Sequence, residues 1–411
     1  TCNGHLSAMG KNKGRQQSPL HRTLTFLLSA LAVLRAAGCT RDEDCSLLGT
    51  CNVAAAACKC DAGWRGSECG ELALLPAAQH SGYNLTRQGI STWGANIFPA
   101  ATAIDDNADA GEWHMLAAEF ENHCGIDHWS PNSAIVHATS MSGPAGPYTR
   151  QSVAVVPFAH NPKVVRAPDG TWLMYTIGVN VDASDLFNCT SSPKSREMLP
   201  PAAPGRTPKN LESNVTLYTA TSLGGPWTRF GIVLGPDNEG KWDEDTSNPS
   251  PWVLKNGTVL LMYRGCVVAG GGCDKEYIGI ASAPSWKGPY TRLGGGKPIL
   301  PAISAEDPSL WVDSRGHFHF LMHYIPDGKL VARHAFARSY EGPWHIHKQS
   351  IPYNSTVAFD DGSVMTFEKR ERPHLVWEAG RPRWLVTGVV IPSGQHGYAG
   401  KSFTLVQPVG V

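Results

Sequence analysis

Charge is scarce in this chain. Only 17% of its 411 residues are Asp, Glu, Lys or Arg, and 35 basic side chains balance 35 acidic ones. A zero net charge removes the long-range field that a nucleic-acid binder uses, and no basic stripe replaces it. Nucleic acid is therefore not an expected partner. Long apolar runs are nearly absent too: the run from Leu24 to Leu34 falls short of the ~20 residues that span a bilayer. Also missing are Gly-x-Ser-x-Gly, the full Gly-x-x-x-x-Gly-Lys-Ser/Thr phosphate loop, since Gly400-Lys401-Ser402 has Gln395 where its first glycine would stand, and His-Glu-x-x-His, which leaves those catalytic classes without footing. What abounds is Gly (43), Pro (30) and Trp (13). Turns need Gly and Pro and pleated surfaces favour aromatics, so the composition points to a turn-rich all-β fold, away from disorder and helical bundles.

The N-terminal stretch has the pattern of an address. Met9 is the expected initiator, downstream of Thr1. Lys11, Lys13, Arg15 and Arg22 precede the apolar run, and Ala36-Ala37-Gly38 follow it. A basic region, a short apolar stretch and a small-residue exit predict a cleaved secretory signal over 1–38, with an uncleaved membrane anchor as the alternative. After cleavage no membrane span is expected. Sequons at Asn84, Asn188, Asn214, Asn256 and Asn354 point to the same secreted, glycosylated product.

Of eleven cysteines, Cys2 lies ahead of the signal, and the ten that remain form an even set suited to an oxidising compartment. Cys39, Cys45, Cys51, Cys58, Cys60 and Cys69 crowd into 31 residues. So short a segment cannot bury a core and depends on cross-links, a zinc site being the rival reading. With Cys58-Lys-Cys60-Asp-Ala-Gly63-Trp64-Arg-Gly66-Ser-Glu-Cys69 at its end, the segment resembles an epidermal-growth-factor-like module at 39–70. The resemblance implies the pairs Cys39 with Cys51, Cys45 with Cys58 and Cys60 with Cys69, and a calcium-free spacer or adhesion module open to a protein partner. Elsewhere, Cys266 and Cys273 are near enough to close a hairpin, and elimination leaves Cys124 with Cys189.

Residues 71–411 carry a repeat, and the repeat sets the fold. One element is a strand-like run ending in Gly-Pro-aromatic, at Gly146-Pro147-Tyr148, Gly225-Pro226-Trp227, Gly288-Pro289-Tyr290 and Gly342-Pro343-Trp344. The other is a polar residue and a proline, then two apolar runs around a Gly turn. It starts at Asn161-Pro162, Asn248-Pro249, Asp307-Pro308 and Glu371-Arg-Pro373, with a degenerate copy from Trp93 to Phe120. Five copies of a hairpin-plus-strand unit predict a five-bladed β-propeller whose first strands line a central channel. The leading residues Asn161, Asn248, Asp307 and Glu371 should then converge at the channel mouth. Strand alternation lets only one of Glu306 and Asp307 face it, and the proline register favours Asp307. Residues 179–212, rich in Ser and Pro, form an extra loop.

The starts Asp307-Pro308-Ser309-Leu310-Trp311 and Glu371-Arg372-Pro373-His374-Leu375 resemble motifs of family 43 and related glycoside hydrolases, and the blade pattern resembles theirs over roughly 93–411. Glycosidic cleavage needs a protonated carboxyl at the leaving oxygen and a carboxylate that activates water. The resemblance implies inversion on a cell-wall or extracellular polysaccharide, with Glu371 as general acid and Asp307 as its pKa modulator. Glu306 and Glu368 are alternatives for these carboxyl roles. In the family's blade order the base would stand at Asn161, whose amide takes no proton from water near neutral pH. Asp245, Glu244 and Asp105 are the candidate bases. The other reading is a non-catalytic carbohydrate-binding or adhesion propeller.

Trp93, His160, Asn161, Arg264, His323 and Arg372 are placed near the mouth as substrate-binding candidates, or else as satisfied inter-blade polar groups and a core tryptophan. His317, His319 and His323 alternate along one strand but climb too steeply to share one ion, so no metal site is assigned and no cofactor is required. A structural ion in the channel, near a single His, stays open.

Overall fold

The computed structural model describes residues 38–100, 111–179, 181–189, 213–235, 240–269, 272–324, 331–392 and 400–411. The expected signal before Gly38, the candidate base Asp105 and most of the 179–212 insert lie outside the described residues.

Strands form where the repeat elements stand. Each polar, mostly proline-bearing run becomes the innermost strand of an antiparallel sheet, and the run beyond its Gly turn becomes the second. Blade one holds Thr92–Pro99, Trp113–Phe120, Ser133–Ser140 and Thr149–Val155. Blade two holds His160–Arg166, Trp172–Ile177, Val215–Ala220 and Thr228–Leu234. Blade three is built of Asp245–Val253, Val259–Ala269, Gly272–Ala283 and Thr291–Arg292, and blade four of Ala305–Val312, Phe318–Tyr324, Val331–Ala337 and His345–Ile346. Blade five has Lys369–Glu378, Arg381–Val390 and Ser402–Pro408. The innermost strands touch their neighbours in chain order and the fifth returns to the first, which closes a ring around an axis. The result is a five-bladed β-propeller with a small disulfide-rich N-terminal module.

Second strands are apolar on both faces because blades cover both. Every residue of Trp113–Phe120 and of Trp172–Ile177 is buried. Between blades one and two, Leu116 and Phe120 meet Trp172 and Met174; between blades five and one, Val376 and Val386 meet Ala95 and Met115. Each such buried side chain contributes about 1.5–3 kcal/mol. The stretch ahead of blade one supplies the edge that blade five lacks: the Tyr83 N–H donates to the Thr404 carbonyl at 2.9 Å, and the Thr404 N–H donates back at 3.3 Å.

One backbone feature recurs in all five innermost strands. Gly94, Asn161, Asn248, Asp307 and Arg372 are left-handed, with φ of 51°, 53°, 49°, 58° and 59°. The pairing register to the second strand shifts at this point in every blade. Glycine adopts this conformation freely and Asn tolerates it, while other residues hold it at about 1–3 kcal/mol. The bulge breaks strict alternation, which corrects the expectation that only one of Glu306 and Asp307 could face the axis: both reach the Asn248 amide.

Five disulfides join Cys39 to Cys51, Cys45 to Cys58, Cys60 to Cys69, Cys124 to Cys189 and Cys266 to Cys273. The cysteine-rich module is not a spacer strung ahead of the propeller. Its Trp64 stacks on Trp311 with ring centroids 6.0 Å apart, and Leu48 and Leu72 share a core with Leu321, Leu375 and Leu385. Arg315 reaches both the Leu47 carbonyl and Asp61, and Arg338 meets Glu43 at 2.6 Å. These contacts lie at the ends of blades four and five away from the mouth. Among the described residues no helix is long and apolar enough to cross a membrane. Of the sequons, Asn214 is buried, its Oδ1 accepting the Gly178 N–H, so the folded chain has no room for a glycan there; Asn84, Asn188, Asn256 and Asn354 are exposed.

Candidate active site

At the mouth the repeat brings together residues far apart in sequence. The left-handed residues form a chain of hydrogen bonds around the axis. Asn161 Nδ2 donates to Asn248 Oδ1 at 3.2 Å, Asn248 Nδ2 donates to Asp307 Oδ1 at 2.9 Å, and the Arg372 N–H donates to Asp307 Oδ2 at 3.2 Å. The Arg372 guanidinium pairs with Asp307 as well.

The residues just before them, Glu306 and Glu371, face His323 on the second strand of blade four. His323 Nδ1 is 3.2 Å from Glu306 Oε1 and 3.6 Å from Glu371 Oε1. Burial is the largest influence on Glu371 and raises its pKa; the charge of Glu306 adds to this and His323 opposes it. Burial also pushes Glu306 upward, but the His323 hydrogen bond and the charges of Arg372, His323 and Arg264 outweigh it and hold it below its ordinary value. One carboxyl with a raised pKa beside one with a lowered pKa is an arrangement suited to proton delivery. The carboxylate acting on Glu371 is Glu306, while both oxygens of Asp307 are engaged by Arg372 and Asn248. Glu368 precedes the innermost strand, where its N–H donates to the Val390 carbonyl.

Arg264 extends the cluster into blade three. Its Nη1 lies 3.3 Å from Asp245 Oδ2 and its Nε 3.6 Å from Glu276 Oε1, and both sulfurs of the Cys266–Cys273 disulfide lie against Nη1, at 3.4 and 2.9 Å. Glu276 is pushed up to about 7, by burial first and then by the charge of Glu306. Sequence reading missed Glu276: it sits near the start of a third strand, ahead of the run that leads to Gly288-Pro289-Tyr290, and its cross-strand partner Cys266 gave no hint of it.

The other candidates divide. Asn161 is buried, and His160 is buried against Phe120 and Trp129 with Nδ1 2.9 Å from Ser133 Oγ; burial takes its pKa well below the ordinary value. Asp245 is tied to Arg264, with Oδ1 buried and unpartnered, and Glu244 accepts the Gly240 N–H at 3.2 Å. Trp93 is fully buried with its ring packed over Gly388, so it is a core tryptophan with no face free to stack on a sugar. Of the histidines on one strand, only His323 reaches the mouth. His317 and His319 lie near Asp313, at 3.3 and 3.5 Å, at the opposite end.

Glu306, Asp307, His323 and Glu371 carry potential ligand atoms within 4.8 Å of one another. The set nevertheless suits a channel ion poorly, because the Arg372 guanidinium already stands there, paired with Asp307 and 4.0 Å from Glu306.

No protein-family model matches the chain, and no curated protein matches it in sequence. Solved structures do match. A family 117 glycoside hydrolase of the marine bacterium Zobellia galactanivorans superposes with a TM-score of 0.50 at 17% identity, over 82% of this chain and 88% of its own. An α-L-arabinofuranosidase of Podospora anserina, solved with cellotriose, gives 0.52 at 13% identity, over 82% of this chain and 95% of its own. This chain has the five-bladed propeller fold that these glycoside hydrolases share.

Proposed function

We propose that the chain is a secreted glycosidase that cleaves glycosidic bonds of an extracellular or cell-wall polysaccharide with inversion. Glu371 is its general acid. The observation that carries this reading is the pairing at the mouth of a Glu371 whose pKa burial raises with a Glu306 held below its ordinary value, bridged by His323. In the proposed step Glu371 gives its proton to the leaving oxygen while a second carboxylate takes one from the attacking water. Glu306 tunes the acid, and Asp307 positions Arg372 against the substrate. Asp245, Glu244 and Asp105 remain the candidate bases, to which Glu276, with its pKa near 7, is now added. The shared fold and the five disulfides, which suit an oxidising compartment, support a secreted carbohydrate-active protein.

A second reading rests on Asn161, whose amide is buried against Asn248 where a base would stand. On that reading the mouth binds carbohydrate without cleaving it. A panel of aryl arabinosides, xylosides and galactosides together with fructans, assayed with wild type and Glu371→Gln, separates the two. Turnover lost in the variant supports the hydrolase. Sugar binding without turnover, unchanged by Glu371→Gln, supports the binding propeller.

A further inference from the structure

Beyond the carboxylate cluster, toward the opposite face, the five innermost strands enclose a cavity of about 360 Å³, within the range of small-molecule sites. Its charged or ionisable lining groups are all basic: Lys163, Arg166 and His374. Trp252, Trp311 and Trp377 line it as well, and no Asp or Glu is among its described lining residues. Lys163 is half-buried. Its ammonium has three donors, and the Pro373 carbonyl takes one at 2.8 Å. No ion pair to Lys163 occurs among the described residues, although buried cations are normally paired. Two further donors on lining residues, Asn96 Nδ2 and Trp311 Nε1, are buried without a partner.

We propose that this axial cavity is a binding site for a small aromatic carboxylate, whose anion pairs with Lys163 and whose flat body lies among the tryptophans. The match is one of complementary deficits. The site has positive charge and spare donors but no anion, and the partly exposed rings of Trp252 and Trp377 with little else polar, while Trp311, already stacked on Trp64, offers its Nε1. A sugar acid is disfavoured because its hydroxyls need acceptors as well as donors, and the side-chain acceptors here are few: one ring nitrogen of His374, the Ser309 hydroxyl, and Ser250 Oγ and Asn96 Oδ1, which already accept the Leu310 and Val164 N–H groups. The groups acting on Lys163 are consistent with this. Burial first, then the charge of Arg372, bring the Lys163 ammonium down to about 7, and His374 is kept neutral by burial. A carboxylate therefore binds the protonated form, and its affinity declines as pH rises past that value.

The test is titration of the intact protein with cinnamate, cinnamamide and glucuronate, followed by calorimetry and by the fluorescence of the lining tryptophans. Expected are saturable binding of cinnamate, at least about tenfold weaker binding of the amide, a loss of about tenfold from pH 7 to 8.5, and a comparable loss in Lys163→Met. Val253→Phe, which fills the cavity, should abolish binding and serves if Lys163→Met does not fold. Binding of glucuronate in preference to cinnamate, equal binding of cinnamate and its amide, or no saturation by cinnamate with folded wild type would each overturn the proposal. None of these readouts depends on glycosidase activity.

Discussion

His323 stands with its Nδ1 3.2 Å from Glu306 Oε1, on the strand next to the one that carries Glu306. Burial pulls the imidazole pKa down, but the hydrogen bond to Glu306 and the charges of Glu371, Glu306 and Glu276 carry it above its ordinary 6.5. A raised pKa means that the stabilisation is complete below 6.5 and is lost as pH rises through the folded value. Urea unfolding should therefore show stability falling above pH 6.5, and His323→Gln should flatten that fall. An unchanged slope in the variant would count against the link.

Glu276 makes the same kind of prediction in a lower window. Its pKa rises from 4.5 to about 7, so burying it becomes unfavourable as pH climbs through that interval, by at most about 3 kcal/mol. Glu276→Gln should remove this loss between pH 4.5 and 7. The check is the unfolding midpoint at several pH values, compared with wild type.

Asp307 and Arg372 are buried together, so removing one leaves the other uncompensated. Asp307→Asn should destabilise by about 3–5 kcal/mol. In the double variant with Arg372→Met the loss should be clearly less than the sum of the two single losses. Additive losses in a double-mutant cycle would mean that the pair is not coupled.

Trp93 and Gly388 test the assignment of the tryptophan to the core. A Cβ at position 388 would come within 2.5 Å of the Trp93 ring, so Gly388→Ala should destabilise by about 1–3 kcal/mol. Trp93→Ala, which opens a cavity, should cost about 3–5 kcal/mol. Denaturant midpoints measure both, and a Trp93→Ala protein of undiminished stability would return the ring to the list of sugar contacts.

The docked module predicts a single unfolding event. Trp64 and the disulfide-linked loops share a core with blades four and five, so Trp64→Ala should lower the melting temperature of the propeller itself. Differential scanning calorimetry of wild type should give one transition. Two separated transitions, with the propeller's unmoved in the variant, would show the module to be independent.

The propeller was legible because its repeat is written in residues with few alternatives. Pro308 and Pro373 mark the bulge, and Gly225-Pro226 and its counterparts mark the turn before the outer strand. The site was less legible, because proline spacing does not show which side chain precedes the bulge. Aligning Glu371 with Asp307 placed two unlike positions together. The left-handed residue shows that Glu371 corresponds to Glu306, and Arg372 to Asp307. Trp93, read either as a sugar contact or as a core tryptophan, and Glu276, not singled out at all, were left undecided for a different reason. Burial between blades and the pairing of a third strand are set by tertiary packing, on which local sequence is silent.

Tyr83 and Thr404 are partners separated by more than three hundred residues, and the order in which they are made matters. A chain synthesised from its N-terminus produces Tyr83 more than three hundred residues before Thr404. Throughout that interval the clasp has only one half, and the backbone around Tyr83 is an unpaired edge open to any other strand. Long-range closure of this kind is slow, because the entropy of the loop is lost before the contact forms. The newly made chain is thus exposed to aggregation until Thr404 is in place, and chaperones that shield sheet edges should matter most up to that moment.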